Sequence, residues 1–532
     1  MQNTLKNQLR ASAACIAMAA GLVLPTIANA EVTLKSADGT VNVVGEYLGF
    51  EDGAYIVRTL LGDMRVSASR VRCEGPDCPN FDDVAADVAI AGSNAMGLGL
   101  MPLLMNGLAA SMDAEAEMKN VAESETIATL ISDGGFGDDI GSYKVTASSD
   151  DDAFTTLLEK EVTVGMSSRR ITRDEARALR ASGAGSMISP SQERIVAIDN
   201  VVVVTHPSNP VKELTVAQLR GIFSGEISNW SEVGGDDKSI NVITLQPGSS
   251  SHAYFSGYLF DGDAPEFLPQ GIAANYQQVS NTVYSDPHAI GYVSYAFERG
   301  TSALNLINDC GIAISPDAFS AKTEEYDMSR RLYLYSRGDH TDEQTQSLLD
   351  FATSAAADGV IAKSGFISLG VERSTEETAA NRKRALEAQL AGYDVGFEGQ
   401  VAKELLTKME NYDRLSTTFR FRTGSSKLDE RGRVDMARLI DFLEGEANGT
   451  QVTFVGFTDD VGAFEGNRQI SEERAAALMA EMQNASEGRL SHIKMASAGF
   501  GEIAPAACNT SDRGRAINRR VEVWISKVPT NS

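Results

Sequence analysis

The stretch that most constrains this chain is Gly456 to Ala475, GFTDDVGAFEGNRQISEERA. A strand-like run, Gln451 to Phe457, feeds Thr458-Asp459, a polar loop with Gly462 and Gly466, and then an Ala-rich helical run holding Ser471, Glu473 and Arg474. A β-α unit of this kind brings the carboxyl end of its strand close to the first turns of its helix. Asp459 and Arg474 therefore face a common cleft. One carboxylate and one guanidinium suit a zwitterionic ligand, the first taking an ammonium and the second a carboxylate in fork geometry. An ordinary surface salt bridge is the commoner fate of an isolated pair of this sort.

Together with Asn518-Arg519-Arg520-Val521 downstream, the residues Gly456-Phe457-Thr458-Asp459, Asn467, Ile470-Ser471 and Arg474-Ala475 resemble the OmpA-type peptidoglycan-binding domain in composition and order. The resemblance implies that Asp459 and Arg474 hold the diaminopimelate of the peptide stem, with Thr458 and Asn467 in the same site. Arg520 either reaches the ligand or braces the loop. The domain is expected over residues 415–527, as a mixed sheet of order β-α-β-α-β-β with helices on one face.

Net charge is −26, from 73 acidic and 47 basic residues, which disfavours nucleic acid and anionic membrane surfaces as partners. Length allows three or four domains. Residues 1–30 read as a cleaved signal peptide: Lys6 and Arg10, an apolar Ala11 to Leu24, then Ala28-Asn29-Ala30. Four of five cysteines lie beyond it. Cys73 and Cys78 flank a tight Gly-Pro-Asp turn, so an export setting favours a local disulfide over half a metal site. Cys310 and Cys508 fall in different domains and are expected unpaired.

Residues 31–82 read as a small β domain of four short strands, a docking or spacer module. From residue 83 to 372 strands and helices alternate. Three turns there join a strand to a helix start, where unsatisfied backbone N–H groups can cradle an anion. They hold Ser93, Asn94 and Ala95; Ser168 and Arg169; and Ser249, Ser250 and Ser251. Ile198-Asp199-Asn200, the block from Ile222 to Trp230, Ala289 to Val293 and Arg331 to Tyr335 resemble the phosphate-binding proteins of ABC transporters, a two-lobed periplasmic-binding-protein type. The family's Gly/Ser-rich second turn is here Ser148-Ser149-Asp150-Asp151-Asp152, and its phosphate-pairing Arg is Leu245. Phosphate or a related oxyanion is the implied ligand, with Ser149 and Arg169 contributing; another ligand or a degenerate site is the alternative. Residues 110–141 read as an added segment with a helical acidic run from Met112 to Ser132. Residues 373–414 read as two short helices with a flexible joint that sets reach without fixing geometry.

The chain is thus expected to mix α/β and α+β domains: a small β domain, a two-lobed binding domain and a C-terminal OmpA-like domain. Its expected role is a periplasmic binding protein held on the cell wall of a Gram-negative bacterium, beside the outer membrane, with an envelope protein or ABC permease as further partner. An envelope linker with a degenerate binding domain is the alternative. No metal-ligand spacing such as H-E-x-x-H occurs, and Ser249–Ser251 beside His252 does not make a nucleophile-base pair. Neither cofactor nor catalysis is expected.

Overall fold

A computed structural model describes residues 31–527, apart from 37–40, 52–53, 68–70, 76–77, 79–85, 123, 133–137, 248, 261–266, 341, 391–395, 422–427 and 429. The expected signal peptide, the Gly134–Gly137 loop and part of the Cys73–Cys78 turn lie outside the described residues. The chain divides into two compact units, residues 1–84 with 135–138, and residues 85–134 with 139–532.

The first unit is an antiparallel sheet of β1 (Glu31–Lys35), β2 (Asn42–Glu51), β3 (Ala54–Thr59), β4 (Gly62–Ser67) and β5 (Arg72–Glu74), in the order β4-β3-β2-β1-β5. Val32, Leu34, Tyr55, Val57 and Val71 form its core. Cys73 is bonded to Cys78.

The second unit opens with β6 (Val88–Ser93) and the buried apolar helix α1 (Met101–Ser111). Then come β7 (Ala114–Ala122), β8 (Glu125–Ser132), β9 (Asp139–Ser148), α2 (Asp150–Glu159), β10 (Val164–Ser167), α3 (Arg173–Ala181) and the long β11 (Glu193–Thr205). The expected helix over Met112 to Ser132 is instead the β7–β8 hairpin, paired antiparallel from Ala114 to Ala122. Ala, Glu, Met and Lys favour helix by composition, but Ala114, Ala116 and Met118 recur with period two and pack inward. The segment extends the main sheet.

Next are β12 (Glu213–Thr215), α4 (Val216–Ser224), β13 (Asn241–Leu245), α5 (Ser250–Phe260), β14 (Gly271–Ala273), α6 (Tyr276–Ser285) and β15 (Ala289–Ser294). Short strands β16 (Ser302–Ala303), β17 (Asn305–Ile307) and β18 (Ala313–Ile314) precede α7 (Ala318–Lys322), β19 (Ser329–Ser336), α8 (Glu343–Thr353) and α9 (Ala355–Lys363). The main sheet runs β14-β13-β15-β11-β19-β10-β6-β9-β8-β7. Its β11 is shared between two lobes: Glu193 to Asn200 pair with β19, and Val201 to Thr205 with β15. Ten consecutive residues of β11, Val196 to Thr205, are buried, as befits a strand covered on both faces.

The C-terminal part holds α10 (Glu376–Leu390), α11 (Phe397–Asn411), β20 (Tyr412–Arg420), α12 (Glu430–Glu444), β21 (Gln451–Phe457), α13 (Phe464–Ala485), β22 (Lys494–Gly499), α14 (Asp512–Asn518) and β23 (Arg520–Ser526). Strand order is β20-β23-β21-β22. Side chains alternate between two cores. Val452, Phe454, Val521, Val523 and Ile525 meet α12 and α13, through Leu439, Leu443 and Leu478. Val455, Phe457 and Trp524 meet Leu386, Val401 and Leu405 of α10 and α11. The two helices expected to form a free linker therefore cover the second face of this sheet, which corrects the expectation of helices on one face. Burial of Leu386, Val401 and Leu405 on an apolar sheet outweighs the freedom of a tether.

The expectation for Cys310 and Cys508 is also overturned: they form a disulfide across 198 residues. Around it Arg414 pairs with Glu325 at 2.7 Å, Arg420 with Glu324 at 2.9 Å and Arg438 with Asp358 at 3.3 Å. Within this unit the C-terminal sheet is docked on the segment carrying α7 and β19.

Candidate functional site

A cleft of about 640 Å3 opens between the two lobes. Ser93, Asn94, Ala95, Ser149, Ser249, Ser250 and Ser251 all line it, brought there by the starts of three helical segments. Helix α2 is closed by a capping box in which Ser149 accepts from the Asp152 N–H and Asp152 from the Ser149 N–H. That uses up one of the three carboxylates of the second turn. A second, Asp151, is exposed and pairs with Arg169 at 2.5 Å. Asp152 lines the cleft, and Asp150 stands behind the lining. It is buried, accepting from the Ser168 N–H and hydroxyl, each at 2.7 Å, while its own N–H donates to Ser250 Oγ at 3.0 Å. Ser168 thus stands behind the cleft and holds Asp150.

Arg169 is not in the cleft. Its guanidinium donates to Glu175 at 2.6 and 3.0 Å as well as to Asp151, and lies over the Phe154 ring. These bonds hold it more firmly charged than an ordinary arginine, yet neutralised and turned away. Arg330 on β19 stands behind the lining residues Ser251 and Tyr276. It is buried and pairs with Asp199 at 2.8 Å; it also donates to Ser168, Ser251 and Tyr276 at 3.1 Å each. Asp199 in turn accepts from Ser294 at 2.6 Å and from the Tyr295 N–H at 3.2 Å. Leu245, at the family's Arg position, is buried, and its N–H donates to the Tyr292 hydroxyl at 3.3 Å. Burial raises the Tyr276 pKa, and its hydroxyl donates to Ser251. Sequence reading recognised the Arg331–Tyr335 and Ile198–Asn200 blocks as family pattern but did not see Arg330 or Asp199 as site residues. Their partners lie 54 to 162 residues away.

The second site lies at the end of β21. Asp459 and Arg474 are both buried, at 9% and 8% exposure. Asp459 accepts from Arg519 at 2.6 Å, and the Asn467 amide donates to the Asp459 carbonyl at 3.3 Å and to Glu502 at 2.9 Å. Among the described residues Arg474 has no hydrogen-bond acceptor; it lies over the Phe421 ring. Burial lowers its pKa, Arg519 adds to the effect, and Asp459 opposes it. The Thr458 hydroxyl is buried without a partner among the described residues. An unpaired guanidinium and hydroxyl beside a carboxylate form a receptor for a charged polar group.

Arg520 corrects the expectation that it reaches the ligand. Strand alternation turns it to the opposite face of β23, wholly buried over the Phe457 ring, donating to Glu522 at 2.7 Å and to the Ala504 carbonyl at 2.9 Å. Arg519, its neighbour, is the residue beside Asp459. Asn518 pins the adjoining loop, accepting from the Ala506 and Ala507 N–H groups.

Residues 113–356 match the PBP superfamily domain and residues 420–519 match the OmpA family. The chain joins a domain of the first kind to a domain of the second. Phosphate-binding protein PstS of Borreliella burgdorferi is 25% identical over 222 residues, 40% of this chain and 75% of that protein. PstS of Bacillus subtilis is 29% identical over 147 residues, 27% of this chain and 47% of that protein. Outer membrane porin F of Pseudomonas aeruginosa is 36% identical over 112 residues, 21% of this chain and 31% of that protein. The chain spans less than half the length of the last two. An ABC-type phosphate transport receptor from Vibrio cholerae aligns over 53% of this chain and 99% of its own at 20% identity, with a TM-score of 0.39.

Proposed function

We propose that this chain is a periplasmic binding protein for a small oxyanion, phosphate foremost, held non-covalently on peptidoglycan by its OmpA-family domain. The observation that carries the reading is the cleft lined by Ser93, Ser149 and Ser249–Ser251, with buried Arg330 donating to Ser251 and Tyr276 from behind it. Serine hydroxyls and helix-start amides supply donors, and Arg330 supplies the charge, as the lobes close. The resemblance to PstS proteins supports phosphate as the occupant. Asp459 and Arg474 would take the zwitterionic end of the diaminopimelate, with Thr458 donating to it and Asn467 and Arg519 holding Asp459. On this reading residues 1–30 direct export into the periplasm of a Gram-negative envelope, and the chain acts by binding, without turnover. An ABC permease is a partner for the binding domain.

Two measurements test it. Calorimetric titration of phosphate into the full-length protein should give micromolar binding, about 8 kcal/mol. Co-sedimentation with purified diaminopimelate-type sacculi should be lost on Asp459→Ala. No heat with phosphate, with sedimentation intact, would leave an envelope linker whose binding domain is degenerate.

A further inference from the structure

A second cavity, of about 260 Å3, lies where the PBP-type and OmpA-family domains meet. Four arginines line it, Arg330 and Arg331 from the first and Arg420 and Arg513 from the second, with Glu324 as the one acid among the described lining residues. In a chain of net charge −26 this is an unusual concentration of positive charge. Arg330 spends its guanidinium on Asp199, at the cleft. The other three have few carboxylates between them, although Arg420 also donates to the Thr323 and Ile517 carbonyls and Arg513 to the Asp327 carbonyl. Glu324 accepts from Arg331 at 3.1 Å and from Arg420 at 2.9 Å. The remaining carboxylates stand farther off, Asp435 at 3.8 Å from Arg331 and Asp327 at 3.7 Å from Arg513.

Two independent observations say the cluster is under-neutralised. Among the described residues Arg331 Nε is buried with no acceptor, and an orphaned donor of this kind calls for one. Arg420 is partly buried, and its pKa is pushed down to about 10. Desolvation is the main cause; Glu325 and Glu522 oppose it, and Arg331 and Arg513 add repulsion. Glu324, which bridges the domains, is held at φ 58°, a left-handed conformation unfavourable to a residue with a side chain.

We propose that this cavity is an anion site distinct from the cleft, taking a small multivalent oxyanion of the phosphate class between Arg331, Arg420 and Arg513. An occupant would supply acceptors to both domains at once. Because Arg330 lines this cavity and donates to Ser251 and Tyr276 of the cleft, it connects the two sites.

Equilibrium dialysis of inorganic phosphate and of pyrophosphate against the full-length protein at low ionic strength tests this. Wild type should bind two anions per chain. Ser250→Asp, which places a charge in the cleft, should retain one, and that one should bind pyrophosphate at least tenfold more tightly than phosphate. R513Q should weaken the retained site at least tenfold; Arg513 is 61% exposed, so its replacement leaves the core untouched. R420Q should do the same or more. If Ser250→Asp binds nothing, or R513Q binds as wild type does, the interdomain site is refuted. A retained site that prefers phosphate overturns the multivalent assignment. If wild type and Ser250→Asp both bind one anion, the cleft reading fails and this one stands.

Discussion

Asp150 and Arg330 set the character of the cleft between them. Asp150 occupies donors that an anion would otherwise use, and Arg330 is already committed to Asp199. Binding must therefore be won from the serines and the outer edge of the guanidinium. Replacing Arg330 by Met alone would leave Asp199 buried and uncompensated, so the informative variant is Arg330→Met with Asp199→Asn. It should weaken phosphate by about 100-fold, close to 3 kcal/mol, with folding retained, as calorimetry and circular dichroism would report. In the other site Arg474→Ala should cut sacculus binding at least tenfold with little loss of stability, since the guanidinium makes no internal hydrogen bond among the described residues. The pair Asp459 and Arg474 was legible in the sequence because a single β-α unit carries both. Arg330 was not, because each of its partners comes from another part of the chain and no local spacing marks it.

Elements tell a similar story. Strand β21 and helix α13 touch through Gly456, where an added Cβ would stand 2.0 Å from the Ser471 carbonyl oxygen. Gly456→Ala should push α13 off the sheet, costing roughly 3 kcal/mol by overpacking and misplacing Arg474; urea unfolding and sacculus binding should fall together. Strand β23 carries a buried charge cluster. Arg382 grips Glu522 with two bonds, at 2.7 and 2.8 Å, while Arg520 and Trp524 add further donors. Burial alone would raise the Glu522 pKa, but Arg382, Arg414 and Arg520 overcome it and hold it well below 4.5. A carboxyl depressed on folding stabilises the native state above its unfolded pKa and loses that contribution as pH falls through the folded value. Stability in urea should thus drop steeply below about pH 4.5; in Glu522→Gln that part of the drop should vanish, with an offset of about 3 kcal/mol at neutral pH. The β7–β8 hairpin shows where composition misleads: helix-forming residues laid out with period two make strands.

At the scale of the molecule, the junction between the two family domains is the part least visible in sequence. Cys310 and Cys508 are 198 residues apart in different domains, so nothing local joins them. The apolar positions of α10 and α11 were legible as helical, but the sheet face they cover was not. Cross-linking a loop of that length restricts the unfolded chain by about 5 kcal/mol in the chain-entropy account. Cys310→Ser with Cys508→Ser should lower the thermal midpoint by several degrees, and a reducing agent should shift wild type more than this variant, which keeps only the Cys73–Cys78 bond.

The docking has a consequence for motion. The C-terminal domain holds one lobe through Cys310 and Glu324, and the other through Arg438, which donates to the Thr353 carbonyl at 2.7 Å. Opening of the cleft would then stretch or release the Arg438 latch, so the stiffness of the hinge is set partly by a domain outside the cleft.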